Sequence, residues 1–246
     1  MPKRQDMDVL LRDWPYEPGE ILARLIQARN GREIIQMRVE LGILQLEVDK
    51  RPDGTRPGGA ETYYDFLVAL AVHQGERFVL DEDQQGEVDR EFLQFYQRRI
   101  CWLALRRFDK AVQDADHNLA LLDFIKTCSP NDEWFLAHEQ YRPFILFHRT
   151  QAAALHALEL HGPDAAVTEL STGLDLLKAF FEDHEAMEAY EEDEMVARLI
   201  HLRESLRKEY NVGKTLEEQL AEAVANEQYE LAARLRDKIK NRMEGH

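Results

Sequence analysis

The spacing of apolar residues changes near residue 60 and divides the chain into two kinds of structure. From Arg32 to Val48, apolar and polar residues alternate, and the phase of the alternation shifts at Gly42. A period of two is typical of β-strands. A glycine at the phase change indicates either a bulge in one bent strand or the turn of a tight hairpin. We predict a small β-ribbon, followed by a Pro/Gly-rich loop that runs to Gly59.

From residue 60 onward the apolar positions recur with the period of helices. The predicted helices cover residues 61–74, 82–106, 109–127, 133–160, 164–182, 185–209, 216–225 and 227–242. The segment Leu103–Val112 is echoed 55 residues later by Leu158–Val167, and each copy reads as a helix, a short turn and a second helix. We therefore predict repeated helical hairpins in the middle of the chain.

These hairpins resemble the tetratricopeptide (TPR) repeat, in which an aromatic residue after the turn is followed by a small residue three positions later. Phe108 and Ala111 fit that pattern in the first copy, whereas Pro163 takes the aromatic position in the second. The offset of 55 residues also exceeds the usual repeat length of about 34. We predict TPR-like hairpins with an insertion around Thr127–Phe147, and an irregular helical bundle is the alternative.

The last predicted pair of helices lies in the stretch Lys214–Lys240. Thr215 and Glu218 have the spacing of a capping box, which starts a helix, and the break at Asn226-Glu227 reverses the chain. Each helix carries one apolar stripe, and the two stripes face each other in an antiparallel hairpin. Helices of about three turns are marginal alone, so this hairpin is expected to dock on something else.

This stretch resembles the UVR motif, which the UvrB and UvrC subunits of the bacterial excision nuclease share. The matching residues are Leu220, Ala223-Val224, Tyr229-Glu230, Ala232-Ala233, Leu235-Arg236-Asp237 and Ile239. In that family the hairpin is a protein-contact module. By this resemblance the hairpin core and its partner-binding edge consist of Leu220, Val224, Tyr229, Leu235 and Ile239. Arg236 and Asp237 would be polar anchors; the alternative is that this face packs on the protein's own helices.

Together these patterns predict a mainly α (α+β) protein with three segments. Residues 1–59 hold the β-ribbon and its loop, residues 60–213 form an acidic TPR-like helical domain, and residues 214–246 form the UVR-type helical hairpin.

Charge and composition narrow the possible functions. The chain has 31 Lys and Arg against 47 Asp and Glu, a net charge of −16, which argues against a surface built to neutralise nucleic-acid phosphates or to bind an acidic membrane. The longest apolar run, Phe66–Val72, is too short to span a bilayer, and the N-terminal region lacks the apolar stretch of a secretory signal. Cys101 and Cys128 form no CxxC motif, so we expect a reducing, cytoplasmic location.

Motifs for catalysis or metal binding are incomplete. Lys214-Thr215 resembles the end of a Walker A loop, but Lys208 stands where that motif needs glycine. The sequence from His184 to Glu188 lacks the second histidine of a zinc-protease motif. Asp114 and His117 have a di-iron spacing without a second such pair, and we interpret them as a surface polar pair. We therefore predict no catalytic residue, cofactor or metal site.

These observations predict a bacterial cytoplasmic interaction or adaptor protein whose hairpin binds a protein partner or a second copy of the chain. The alternative is an accessory factor of nucleotide excision DNA repair that binds DNA weakly through the ribbon. The cations for that alternative are Arg32, Arg38, Lys50, Arg51 and Arg56, although nearby carboxylates balance them. A third possibility is an enzyme with a site near Trp102, His148 and His156.

Overall fold

The structure is a computed structural model, and it describes residues 6–75 and 78–244. The chain divides into two compact units, the first ending at Ala152 and the second beginning at Ala153. The protein is mainly helical with a small N-terminal antiparallel sheet, which confirms the predicted fold class. Within the described ranges, no helix combines the length and the apolar composition that crossing a bilayer requires.

The sheet of the first unit has three antiparallel strands, β1 (Ala23–Gln27), β2 (Glu33–Val39) and β3 (Gly42–Glu47), in that order. β2 and β3 are joined by a two-residue turn, so the phase change at Gly42 marks a tight hairpin and not a bent strand. The prediction missed β1, because five residues are too few to show a period of two. On β2, Ile34 and Ile35 are both buried.

The helices of the first unit follow the sheet, apart from one short N-terminal helix that the sequence did not reveal. They are α1 (Asp8–Asp13), α2 (Tyr63–Gln74), α3 (Glu82–Ala104), α4 (Phe108–Cys128), α5 (Asp132–Glu139) and the first part of α6 (Arg142–His161). The predicted helix 133–160 is therefore two helices. The second starts at Arg142 because Pro143 suits only the first turn of a helix, where its missing N–H has no partner to lose.

The second unit contains the rest of α6 and five further helices. They are α7 (Pro163–Asp183), α8 (Met187–Glu192), α9 (Glu194–Tyr210), α10 (Leu216–Ala225) and α11 (Tyr229–Glu244). The predicted helix 185–209 is split, because the Asp193 carboxylate accepts the N–H groups of Met195 and Val196 and so starts a new helix. The starts of α4 and α7 are 55 residues apart, as in the internal echo. The likeness to TPR repeats stays a prediction.

In the first unit, a buried ion pair connects helices α3 and α4 with each other and with the end of strand β3. Arg98 on α3 donates from Nε and Nη2 to the two carboxylate oxygens of Asp114 on α4, at 2.9 and 2.7 Å. Its Nη1 donates to the backbone carbonyls of Glu47 and Lys50, at 3.0 and 2.8 Å. Both side chains are buried, so the expectation that Asp114 is a surface residue is wrong: Arg98 compensates its charge inside the unit.

A second buried carboxylate, Glu91 on α3, starts helix α2. Its two oxygens accept the backbone N–H groups of Tyr63 and Tyr64, at 2.6 and 2.9 Å. The His117 ring, which stacks on Phe95, lies 3.0 Å from the same carboxylate through Nε2. The segments before and after residue 60 are thus both hydrogen-bonded to α3. Residues 1–59, which were predicted as a separate segment, belong to the same compact unit as the helices that follow them.

We predict that Asp114→Ala destabilises the first unit by about 3–5 kcal/mol, because it leaves the buried Arg98 guanidinium without its counter-ion. The matched control is Asp49→Ala, which removes an exposed carboxylate 3.5 Å from Lys110 and should cost below about 1 kcal/mol. All three tryptophans, Trp14, Trp102 and Trp134, lie in the first unit, so tryptophan fluorescence during urea unfolding measures its stability. Equal losses in the two variants would contradict the assigned role of this ion pair.

Candidate protein-interaction site

The C-terminal hairpin begins with a capping box at the start of α10. The Thr215 hydroxyl oxygen accepts the N–H of Glu218 at 3.2 Å, and the Glu218 carboxylate accepts the N–H of Thr215 at 2.9 Å. Two backbone donors that the first helical turn leaves without partners are satisfied in this way. The sequence placed this helix start correctly.

A Schellman turn reverses the chain between α10 and α11. The N–H of Gln228 donates to the carbonyl of Ala223 at 2.8 Å, and the N–H of Glu227 donates to the carbonyl of Val224 at 3.0 Å. Glu227 has φ of +57°, the left-handed conformation that usually selects glycine. Because Glu227 belongs to the turn, α11 starts at Tyr229, two residues later than predicted.

The two helices of the hairpin share a small apolar core of their own. Ala223, Ala232 and Leu235 are buried, and Leu216 and Leu220 pack against them. The two alanines let the helix backbones approach closely. Of the residues predicted to bind a partner, Leu235 is thus a core residue and Leu220 a half-buried neighbour of that core.

Other apolar residues of the hairpin lie open to solvent near the turn. The exposed fractions are 52% for Val224, 68% for Tyr229 and 45% for Leu231. We refer to these three residues as the turn patch. Val224 and Tyr229 were among the predicted contact residues, whereas Leu231 was not.

The remaining predicted contact residues lie farther along α11. Arg236 and Asp237 are exposed, and Arg236 Nη2 lies 3.6 Å from Asp237 Oδ1. Ile239 is half-buried. The role of these two charges as polar anchors stays a prediction.

The opposite end of the hairpin is bound to α7 and α9 through one carboxylate, that of Glu218. The Arg207 guanidinium donates a hydrogen bond from Nη2 to the Glu218 carboxylate, and Arg203 Nη1 lies 3.3 Å from the same carboxylate. The Ser171 hydroxyl also donates to Glu218, at 3.2 Å. Burial acts to raise the pKa of Glu218, but the Thr215 N–H and the two guanidinium groups outweigh burial and hold the pKa below its ordinary value.

No local pattern in the sequence indicates directly that Glu218 has this second role. Its capping function alone explains why a glutamate stands at that position. The spacing of Arg203 and Arg207, one helical turn apart on α9, places two cations on one face and is the signal that could have suggested an acidic partner.

The cations proposed for DNA binding are largely engaged within the protein. Arg38 is buried and donates to backbone carbonyls, including that of Trp14 at 2.8 Å. Arg51 is buried and paired with Glu87 at 2.7 Å. Arg32 is paired with Glu47 at 3.1 Å, and Lys50 is paired with Glu61 at 2.7 Å. Arg56 is exposed. Carboxylates therefore pair with three of these five cations, and backbone carbonyls engage a fourth.

The residues considered for an enzymatic site lie in both units. Trp102 and His148 belong to the first unit and His156 to the second. Burial raises the pKa of Cys101 to about 12 and that of Cys128 to about 11, so neither thiol is activated as a nucleophile. Across the part of the chain that the structure describes, no three His, Cys, Asp or Glu side chains gather as metal ligands.

His184 and Glu188, the pair from the incomplete zinc motif, lie on different elements. His184 follows the end of α7 and its Nδ1 lies 2.7 Å from the Phe180 carbonyl, whereas Glu188 lies on α8. A zinc-protease motif needs its ligands on successive turns of one helix, and the break between α7 and α8 removes that geometry.

Comparison with known proteins identifies the hairpin. The family model described as the UvrB/uvrC motif (UVR) matches residues 212–241, which contain α10 and most of α11. The resemblance inferred from the residues of this stretch is thereby confirmed. No curated protein and no solved structure matches the chain.

We predict that Glu227→Gly stabilises the hairpin by about 0.5–1 kcal/mol, because glycine adopts the left-handed conformation without the steric penalty of a side chain. Amide hydrogen exchange of α11 should slow accordingly. The control is Glu230→Gly, which places glycine at a helical position of α11 and should accelerate exchange. Faster exchange in the Glu227 variant would contradict the Schellman geometry.

The lowered pKa of Glu218 predicts the direction of a pH effect on the hairpin. Its ion pairs are fully present above the ordinary carboxyl value of 4.5 and are lost as the pH falls through the lowered pKa. Exchange protection of α10 should therefore differ between the wild-type chain and Glu218→Gln by a constant factor above pH 5, and the difference should shrink below about pH 4. A difference that grows on acidification would have the wrong sign.

Proposed function

We propose that this chain is an interaction protein whose C-terminal hairpin binds a protein partner through the turn patch of Val224, Tyr229 and Leu231. The observation that carries the proposal is the exposure of these three side chains at one end of a UvrB/uvrC motif. UVR motifs mediate protein interactions, and the exposed apolar residues supply the contact area that such an interaction needs.

The small core of the hairpin supports this assignment of roles among its residues. Leu235, Ala223 and Ala232 already hold α10 and α11 together, so the hairpin needs no partner contact from them. Val224 and Tyr229 make no part of that core and are free to contribute area to an interface. A large exposed aromatic side chain such as Tyr229 is the residue type most often found at the energetic centre of an interface.

The proposed partner is a different protein that presents the apolar face of a helix with charges of both signs at its rim. Residues 214–246 carry six basic and seven acidic side chains, so a strongly charged partner would gain little attraction. Stable dimers bury about 1,600 Å² in total, and a patch of three apolar residues fits a transient contact better than a permanent dimer. A second copy of the chain is the competing occupant.

The proposed role is binding without catalysis, in the cytoplasm. The incomplete motifs and the unactivated thiols support the first part of this proposal. The low cysteine content without paired motifs supports the second.

The alternative, an accessory role in nucleotide excision DNA repair, rests on the motif itself. The hairpin could contact a repair protein without any DNA contact by the ribbon. The engagement of Arg38 and Arg51 inside the protein favours that version. Binding to a DNA duplex that weakens steeply with salt would instead favour a phosphate-contacting surface.

We predict that Tyr229→Asp weakens partner binding about tenfold or more, because it places a charge in the apolar contact. The matched control is Tyr210→Asp at the end of α9, because Tyr210 is a partly exposed tyrosine outside the motif; this variant should change the affinity by less than about threefold. Leu235→Asp is unsuitable as a test, because it puts a charge into the hairpin core.

The partner is found by placing a photo-crosslinking amino acid at position 229, with position 210 as the control site. The crosslinked protein is then purified, and its affinity for the full chain and the two variants is measured by fluorescence anisotropy. A partner that crosslinks from position 229 and loses affinity only with Tyr229→Asp supports the proposal. Equal crosslinking from both positions, or sedimentation that shows only a self-association insensitive to Tyr229→Asp, would contradict it.

A further inference from the structure

An apolar cavity of about 530 Å³ lies in the first unit, between α3 and the start of α6. Its lining residues are Phe92, Leu93, Tyr96, Arg99, Tyr141, Phe144 and Ile145. Leu93 and Tyr141 are about half exposed, so the cavity opens to solvent on their side. Its volume falls within the range of about 300–1,000 Å³ that is common for small-molecule sites.

Arg99 is the one charged residue among those that line the cavity, and it is only 1% exposed. Its Nε and Nη1 atoms are buried without a hydrogen-bond partner. Asp114, the carboxylate whose charge acts on Arg99, already accepts two hydrogen bonds from Arg98, one at each of its oxygens. A buried guanidinium without a bound anion is costly, so this residue needs an explanation.

The surroundings of Arg99 give it only weak compensation. Its guanidinium carbon lies 5.5 Å from the centre of the Tyr96 ring, a cation–π contact that stabilises far less than a paired carboxylate does. Burial lowers the pKa of Arg99 to about 10, which still leaves it charged at neutral pH.

His148 adds a second polar group with no partner beside the cavity. It follows Phe144 by one turn of α6, the two rings lie 4.3 Å apart, and its Nδ1 is buried without a hydrogen bond. Burial and the nearby Arg99 charge lower the pKa of His148 to about 4, so the ring is neutral at pH 7. The positive charge at the cavity therefore comes from Arg99.

We propose that this cavity binds a small carboxylic acid with an apolar body, whose carboxylate pairs with Arg99 and whose body packs against Phe92, Tyr96 and Phe144. A carboxylate that accepts hydrogen bonds from the guanidinium would satisfy one of the two donors now without partners, since Nε and Nη1 lie on different edges of the group. A single cation matches a monoanion, and the aromatic walls match an apolar body better than a sugar or a multiply charged phosphate.

The test compares octanoate with 1-octanol on the full chain by isothermal titration calorimetry at pH 7. The two probes share one apolar chain and differ in charge, so the proposal predicts that octanoate binds about tenfold or more tightly. Arg99→Met should remove that preference while leaving the binding of 1-octanol unchanged. Arg90→Met is the control, because Arg90 lies on the same helix but is exposed.

The stability of the ligand-free variants separates a binding role from a structural one. Replacing an unpaired buried charge by an apolar residue of similar size should leave the melting temperature unchanged or raise it. Octanoate should raise the melting temperature of the wild-type chain and of Arg90→Met, but not that of Arg99→Met.

Equal affinity of the wild-type chain for octanoate and 1-octanol would overturn the proposal, and this comparison needs no variant to fold. Loss of octanoate binding in Arg90→Met to the same extent as in Arg99→Met would also overturn it. If Arg99→Met unfolds, Arg99→Lys takes its place. That variant keeps the charge but loses the two-pronged geometry, and it should bind octanoate more weakly than the wild-type chain does.

Discussion

The fold of each unit depends on a buried or half-buried charge that is held by opposite charge and by backbone groups from a distant part of the chain. In the first unit, Arg98 joins α3 to α4 through Asp114 and to the end of β3 through the carbonyls of Glu47 and Lys50. Such an ion pair gives little net stability relative to an apolar core, but removing one partner is severely destabilising. Its effect here is to fix which element lies beside which.

The same principle operates in the second unit at the hairpin. Two short helices with a core of three small or medium apolar residues bury too little area to be rigid by themselves. Glu218 adds a fixed point, since one carboxylate both starts α10 and accepts hydrogen bonds from α7 and α9. The end of the hairpin near Glu218 is therefore held in place, while the residues of the turn patch at the other end are exposed.

The sequence predicted those parts of the structure that local chemistry determines. The capping box at Thr215, the phase change at Gly42 and the motif of residues 212–241 are local patterns, and the structure or the comparison confirms them. Helix breaks before Pro143 and at Asp193 were missed, because an apolar period continues across them and the capping hydrogen bonds leave no trace in that period.

What the sequence could not reveal is which charges meet in three dimensions. Asp114 looked like one more carboxylate in an acidic chain, and Glu218 like an ordinary capping residue, because their partners lie 16 and 11 to 47 residues away. For the hairpin, the sequence therefore identified which residues belong to the motif, but not which of them are buried and which are exposed. Tyr229 and Leu235 are six residues apart, which on a helix is a rotation of about 240°, so only one of them can face α10; the structure shows that it is Leu235.

Arg99 differs from the other buried charges, and the contrast with Arg98, its neighbour on α3, is informative. Adjacent residues of a helix point about 100° apart, so Arg98 reaches Asp114 whereas Arg99 lines a cavity walled by aromatic rings. A folded chain that provides Arg98 with four oxygen acceptors would be expected to satisfy or neutralise Arg99 as well. The chain provides no acceptor for Nε and Nη1 of Arg99, and the proposed ligand carboxylate would supply one from outside the chain.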